Sequence, residues 1–169
     1  MPHKDFILRP ARTSDIVAIQ AMRAPLVDTK VLLQHQLVSL YERVQEFVVA
    51  ETKDGRILAA GALHVMWGDL AEVRSLVVDQ SARGMGLGKE IVEALVERAY
   101  TLGIRRVFCL TFEVDFFVRC GFDIISDVPV DQATFEQMVQ SADDGVAEFL
   151  DLARVKENTL GNTRMLRLL

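Results

Sequence analysis

Glu72-Val-Arg-Ser-Leu-Val-Val-Asp-Gln-Ser-Ala-Arg-Gly-Met-Gly-Leu-Gly-Lys89 is the stretch around which the chain is organised. It opens as an apolar strand, passes through a turn, and carries glycine at 84, 86 and 88. A helical pattern starts directly behind the last glycine. Backbone amides converge at such a strand–loop–helix junction, and the helix dipole adds partial positive charge, so the loop is a seat for a phosphate. Arg83 and Lys89 are its charge partners. Lys89 falls in the first helical turn, where the dipole disfavours a cation, and a bound anion would explain it there. The spacing is Gly-x-Gly-x-Gly-Lys, not the dinucleotide Gly-x-Gly-x-x-Gly, and no opening βαβ unit surrounds it. Nor is it a P-loop, because Glu90 follows Lys89 where Ser or Thr is required. On these residues alone, a plain structural turn stays open as the alternative.

Upstream of this stretch, Phe6 to Pro10 reads as a first strand. Thr13 and Ser14 are candidate N-caps of a helix whose core side is Ile16, Val17, Ile19, Ala21 and Met22, ended by Pro25. Leu26 to Val44 reads as a second helical stretch, with a break near Asp28-Thr29-Lys30. Phe47 to Glu51 is β-like, Asp54-Gly55 is a hairpin turn, and Ile57 to Trp67 is a returning strand. Leu70 to Val78 follows after Gly68-Asp69, so residues 47–78 form an antiparallel meander.

Downstream, Leu87 to Leu102 is the strongest helix, with Leu87, Ile91, Leu95, Ala99 and Leu102 along one face and Gly103 as its stop. Val107 to Thr111 is a short strand and Phe116 to Arg119 a short helix. A strand at 122–126, a helix near 131–140, and strands at Glu148–Leu152 and Arg164–Leu168 complete the chain. This is an α/β (α+β) pattern: a mixed, mostly antiparallel sheet flanked by helices, with one strand–helix–strand crossover.

At 169 residues the chain is expected to form one domain over 1–169, and half of its residues are hydrophobic, enough to bury a core. The net charge of −5 speaks against a general nucleic-acid binder. Cys109 and Cys120 make no disulfide framework, and no Cys/His spacing suggests zinc or another metal. No apolar leader or membrane-length run is present, so a reducing cytoplasm is the expected compartment.

Arg83-Gly-Met-Gly86-Leu-Gly88 resembles the acetyl-CoA signature Arg/Gln-x-x-Gly-x-Gly/Ala of the GCN5-related N-acetyltransferases (GNAT). The meander, the signature helix, the strand after it and Phe116-Phe-Val-Arg-Cys-Gly-Phe122 fall in that family's order. Within it, Glu72-Val-Arg-Ser-Leu-Val-Val, Val107-Phe-Cys-Leu-Thr-Phe-Glu113, Gly145-Val-Ala-Glu-Phe-Leu-Asp-Leu152 and Leu160-Gly-Asn-Thr-Arg-Met-Leu166 are similar to short stand-alone N-acetylglutamate synthases. The resemblance implies the GNAT fold, acetyl-CoA as co-substrate, and L-glutamate as acceptor in the first step of arginine biosynthesis. It further implies that Arg83, Gly84, Met85, Gly86, Leu87, Gly88 and Lys89 hold the CoA pyrophosphate. The strand ahead is expected to splay from its neighbour, with the backbone of Leu76, Val77 and Val78 pairing with the pantetheine arm.

Acetyl transfer from a thioester to an amine needs a base, a donor for the oxyanion, and departure of the thiolate. Glu72 is the expected base, acting through water. Two-residue alternation puts Glu72, Arg74, Leu76 and Val78 on one strand face, so Glu72 and Arg74 can look into one pocket. A structural Glu72–Arg74 ion pair is the competing reading. A backbone amide near Leu76 or Val77 is the expected oxyanion donor. Many relatives carry a tyrosine where this chain has Phe117, so CoA leaves as thiolate or with help from a hydroxyl such as that of Thr111. Cys109 and Cys120 read as buried structural thiols, and His64 and Trp67 as packing residues.

A glutamate acceptor brings two carboxylates, which call for arginine and lysine. Arg23, Lys30, Arg74 and Arg164 are the candidates, with Asn162 and Thr163 as hydrogen-bonding partners. The rival acceptors are L-glutamine or another small amine. A non-catalytic acetyl-CoA-binding module is the rival class. A homodimer is compatible with the sequence, which does not require it.

Overall fold

The computed structural model describes residues 5–32, 34–152 and 161–169. Leu33 and Leu160, which border stretches quoted above, lie outside those residues, as do Met1 to Lys4.

Seven strands form one sheet in the order β1-β2-β3-β4-β5-β7-β6. They are β1 (Phe6–Pro10), β2 (Phe47–Thr52), β3 (Ile57–Trp67), β4 (Leu70–Val78), β5 (Arg106–Thr111), β6 (Asp123–Ile124) and β7 (Thr163–Leu168). Only β4 and β5 run parallel, because only they are joined by a crossover helix, α3 (Leu87–Thr101). That parallel ladder is short: Leu70, Ala71 and Glu72 pair with Arg106, Val107 and Phe108, and pairing stops there. Beyond Glu72 the two strands diverge, as expected, and leave one edge of β4 open.

Helices cover both faces. Helix α3 and α4 (Val114–Arg119) pack on one, where Ile91, Leu95, Val107, Phe117 and Phe122 share a core. Helix α1 (Ile16–Asp28) packs on the other with Val49, Ala60 and Val77. On that same face, α5 (Gln132–Met138) and α6 (Asp144–Phe149) cover Leu70 and Phe108, with the Phe108 and Phe149 rings edge-on at 4.9 Å. A short α2 (Leu37–Glu42) leads into β2. Among the described residues no helix is long and apolar enough to cross a membrane.

The structure corrects four expectations. Pro25 lies inside α1 and does not end it. Proline removes only its own N–H, and its carbonyl still accepts from the Thr29 amide and hydroxyl, so the helix runs on to Asp28. The chain then turns at Lys30, with φ +59°, and no single helix follows from 26 to 45. Thr13 and Ser14 do not cap α1. They sit in a 3-10 turn, where the Asp15 carboxylate accepts the Arg12 amide instead. Finally, Glu148–Leu152 is no strand. Asp143 caps α6 by accepting the Val146 amide at 2.9 Å, and Val146, Ala147, Phe149 and Leu150 are buried. The alternating Glu-Phe-Leu-Asp-Leu pattern concealed this helix because both its faces are covered.

Candidate active site

A β-bulge in β4 decides which side chains meet. Ala60 pairs with Val77 and Ala62 with Arg74, so Gly61 faces two residues, Ser75 and Leu76. Ser75 takes φ +55° to make the step. The extra residue reverses the alternation, so the expectation of one shared face fails. Leu76 and Val78 join the α3 core, while Val77 packs with α1. Glu72 and Arg74 point into a cavity on the α1 face. The strand thus offers its open edge and bulge to one ligand and two charged side chains to another.

The glycine loop has the geometry of an anion seat. Gly84 and Gly86 take φ +81° and +79°, which only glycine adopts without strain. Gly86 is the residue before α3, and its carbonyl accepts the Glu90 amide, so the first-turn amides of Leu87, Gly88 and Lys89 face outward from the helix end. The Arg83 and Met85 amides are instead used inside the turn, on Gln80 and Ala82 carbonyls. Leu87 is a buried core residue, and Gly88 lies against the Phe116 ring, where a Cβ would come within 3.3 Å. So 86–89, more than 83–85, are positioned to present N–H groups to a pyrophosphate.

The cavity is lined by Arg23 from α1, Glu72 and Arg74 from β4, Glu148 from α6, Asn162 ahead of β7, and His35 from the segment before α2. Glu72 is 4% exposed, and burial above all pushes its carboxyl pKa up, against the pull of Arg74. Arg74 Nη2 stands 2.8 Å from Glu72 Oε2. Yet the aligned hydrogen bonds of that guanidinium go to Asp143, at 3.0 and 2.9 Å, and Glu72 Oε2 receives none. The competing ion pair therefore exists, on an arginine whose aligned hydrogen bonds go to Asp143.

The acceptor candidates divide. Arg23 and Arg74 are buried in the cavity wall, and Asn162 joins them with its Oδ1 buried and without a hydrogen-bond partner. Burial and then the Arg74 charge lower the Arg23 pKa to about 10, so it stays a cation near neutrality. Lys30 is exposed and does not line the cavity, although Val31 and Leu32 do. Thr163 pairs with Thr111 in the β5–β7 ladder. Arg164 donates to the carbonyls of Glu148 and Phe149 at the end of α6 and sits over the Phe108 ring. Its charge serves α6, not the cavity.

Thr111 is buried, and its hydroxyl oxygen accepts the Glu113 amide at 2.8 Å. Cys109 and Cys120 are buried free thiols, both with pKa raised chiefly by burial. His64 differs from the packing residue expected of it: Nδ1 lies 2.7 Å from Glu46 Oε1. Arg106 is bound to Asp69, and Arg105 stacks on Tyr100.

Four residues were missed in the sequence. Asp143 receives Arg74, and Arg43 approaches it to 3.1 Å. Glu148 has its pKa raised to about 8, by burial first and Glu72 second. His35 faces Arg23 Nη2 at 3.4 Å, and burial, then that arginine, lowers its pKa to about 4, so it is neutral. Gly145 lets α6 close over the cavity. Asp143-Asp144-Gly145 before an apolar run was a readable helix start, whereas His35 had no local signal.

Among the described residues no His/Cys/Asp/Glu cluster could hold a metal. Residues 19–122 match the family model described as acetyltransferase (GNAT) family. An amino-acid acetyltransferase of Mycobacterium tuberculosis is 51% identical over 168 residues, covering 96% of this chain and 94% of that protein. A crystal structure from M. tuberculosis in complex with CoA and NLQ has a TM-score of 0.91 at 50% identity, covering 96% of this chain and 99% of that one. N-acetylglutamate synthase from Neisseria gonorrhoeae, complexed with coenzyme A and N-acetyl-glutamate, shares the fold at TM-score 0.79 and 22% identity. The match covers 99% of this chain and 36% of that one.

Proposed function

This chain belongs to the acetyltransferase (GNAT) family, and on that premise we propose that it is an amino-acid N-acetyltransferase. It transfers acetyl from acetyl-CoA to the α-amino group of L-glutamate, in the cytoplasm, as the first step of arginine biosynthesis. The observation that carries the reading is the double use of β4. Its open edge and bulge run toward the glycine loop, while Glu72 and Arg74 face a cavity containing Arg23 and Asn162.

In a ternary complex, Glu72 takes a proton from the acceptor ammonium, directly or through one water. The freed amine attacks the thioester carbon, forming a C–N bond. An amide of the bulged segment near Leu76 or Val77 receives the oxyanion. The C–S bond then breaks, CoA leaves as thiolate, and the second proton that the nitrogen sheds to become an amide passes through water to that thiolate. A thiol of pKa about 8.5 needs no strong acid to depart, and Phe117 supplies none. Burial raises the basicity of Glu72 toward the range a general base requires.

L-glutamine is the second reading. Arg74 is already matched by Asp143 and Glu72, so little of its positive charge is left for a second acceptor carboxylate. That balance suits an acceptor with one carboxylate. Release of free thiol from acetyl-CoA across the amino acids, with product mass measured, tests both. Turnover with glutamate or glutamine supports the proposal. Binding of acetyl-CoA without acetylation of any amino acid would overturn it.

A further inference from the structure

Asp143 does not itself line the cavity but holds Arg74, which does, and it is the most connected carboxylate in the molecule's described part. It takes both terminal nitrogens of Arg74, it stands 3.1 Å from Arg43 and 3.8 Å from His64 Nε2, and it caps α6 through the Val146 amide. Arg74 therefore serves two carboxylates, and its aligned bonds go to the one that lines no cavity. We propose that Asp143 is a positioning residue: by occupying the fork of Arg74, it keeps that guanidinium from fully pairing with Glu72 and so leaves Glu72 available to accept the acceptor's proton.

This rests on the assignment of Glu72 as base. The electrostatics agree in sign. Arg74 alone would hold the Glu72 carboxyl low, whereas Asp143, a second negative charge, works against that pull. Asp143 itself is held well below the usual carboxylate range: burial would raise it, but the Arg74 bonds and charge prevail. Other charged and titratable groups surround the pair: Glu46 acts on Arg74 by its charge, Arg43 stands on Asp143, and His35 lines the same cavity. His64 stands opposite Glu72 on β3, Glu148 approaches from α6, the Cys109 thiol lies behind on β5, and Arg23 comes from α1. None of these bonds to the Arg74 fork.

The loss of Asp143 has a signed consequence. Arg74 is released to Glu72 and a like charge disappears, and both changes favour the carboxylate. The titration of Glu72 should therefore move down. A merely structural role would leave that midpoint where it is.

The test follows the Glu72 carboxyl carbon by NMR in glutamate-labelled protein, with Glu72→Gln used to assign the resonance. Asp143→Asn removes the charge. Asp143→Ser removes it too but keeps a helix cap for α6, so one of the pair survives if the other misfolds. Expected is a lower Glu72 midpoint in each folded variant, the acid limb of kcat/KM moving with it, and wild-type values in Asp143→Glu. A midpoint that is unchanged or raised in both variants would overturn the proposal. The two readings fail separately. If Glu72→Gln keeps near-normal turnover, the base assignment falls, whereas the NMR midpoint alone decides whether Asp143 tunes Glu72.

Discussion

Gly145 in α6 lies so close to Glu72 in β4 that a Cβ on the glycine would stand 2.6 Å from Glu72 Oε2, and 2.7 Å from Arg74 Nη2. The helix is thus lowered onto the two charged side chains of the cavity, and only the absence of a side chain permits it. Real Cβ atoms do not tolerate such a contact, and the neighbour that must yield is buried charge. Gly145→Ala is expected to cost about 1–3 kcal/mol of stability and to reduce kcat/KM by about tenfold or more through displacement of Glu72. Urea unfolding and steady-state kinetics on the same preparation measure both. Wild-type kinetics in this variant would mean that α6 does not position Glu72.

Replacing Glu72, the base in the proposed function, gives a second expectation. Glu72→Gln keeps the shape but cannot take a proton, so kcat should fall by about a hundredfold or more. Acetyl-CoA affinity should stay unchanged, because Glu72 faces the cavity and not the loop. Thiol-release kinetics paired with calorimetric CoA binding separate these. Since burial raises the Glu72 pKa, wild-type kcat/KM should also fall as the pH is lowered and Glu72 is protonated, at a higher pH than an exposed glutamate would give.

The cofactor loop responds differently. Gly86 holds φ +79° at the start of α3, and alanine there costs about 1–2 kcal/mol. Gly86→Ala should raise the KM for acetyl-CoA severalfold while leaving the KM for the amino acid alone. An equal rise in both constants would argue against separate sites.

Arg23 gives the reverse pattern. It is 2% exposed in the cavity wall, and no residue of the glycine loop lines that cavity. Arg23→Gln should raise the acceptor KM by about tenfold, the loss expected for one charge-assisted hydrogen bond, with acetyl-CoA binding preserved.

Far from the cavity, Arg9 bridges β1, β2 and the entry to α1 by bonding Asp15 and Glu51, each at 2.7 Å at closest. The bond from Arg9 is the chief reason Asp15 stays below the usual carboxylate range. Such a group adds stability above its unfolded pKa of about 3.9 and loses it as the pH falls through its lower folded value. Asp15→Asn should therefore cost about 2 kcal/mol at pH 7, and the difference from wild type should shrink as the pH drops below 4. A constant difference across that range, in urea titrations, would rule the ion pair out as its source.

Most of the scaffold was legible locally. Strands β1, β3 and β4 and helix α3 fall where the sequence puts them, because the Asp54-Gly55 and Gly68-Asp69 turns bound the apolar strands and α3 buries one patterned face. Helix α6 was misread because it is covered on all sides, so no polar stripe marks its period. The loop glycines were recognisable because a positive φ demands glycine wherever it occurs. The shared face expected of Glu72 and Leu76 failed for an equally physical reason: alternation holds only while a strand stays regular, and Ser75 is a bulge.

The sequence by itself determined the strand, glycine loop and helix that the proposal assigns to acetyl-CoA. Strand, glycines and helix are contiguous in the chain, and contiguous residues meet whatever the rest of the fold does. Tertiary structure alone decided the acceptor half. Arg23, Glu72, Arg74, Glu148 and Asn162 come from four separate parts of the chain, and Asp143 reaches Arg74 across 69 residues. Which carboxylate claims the one shared arginine depends on how α6 settles on the sheet, and that is a matter of packing that no local pattern records.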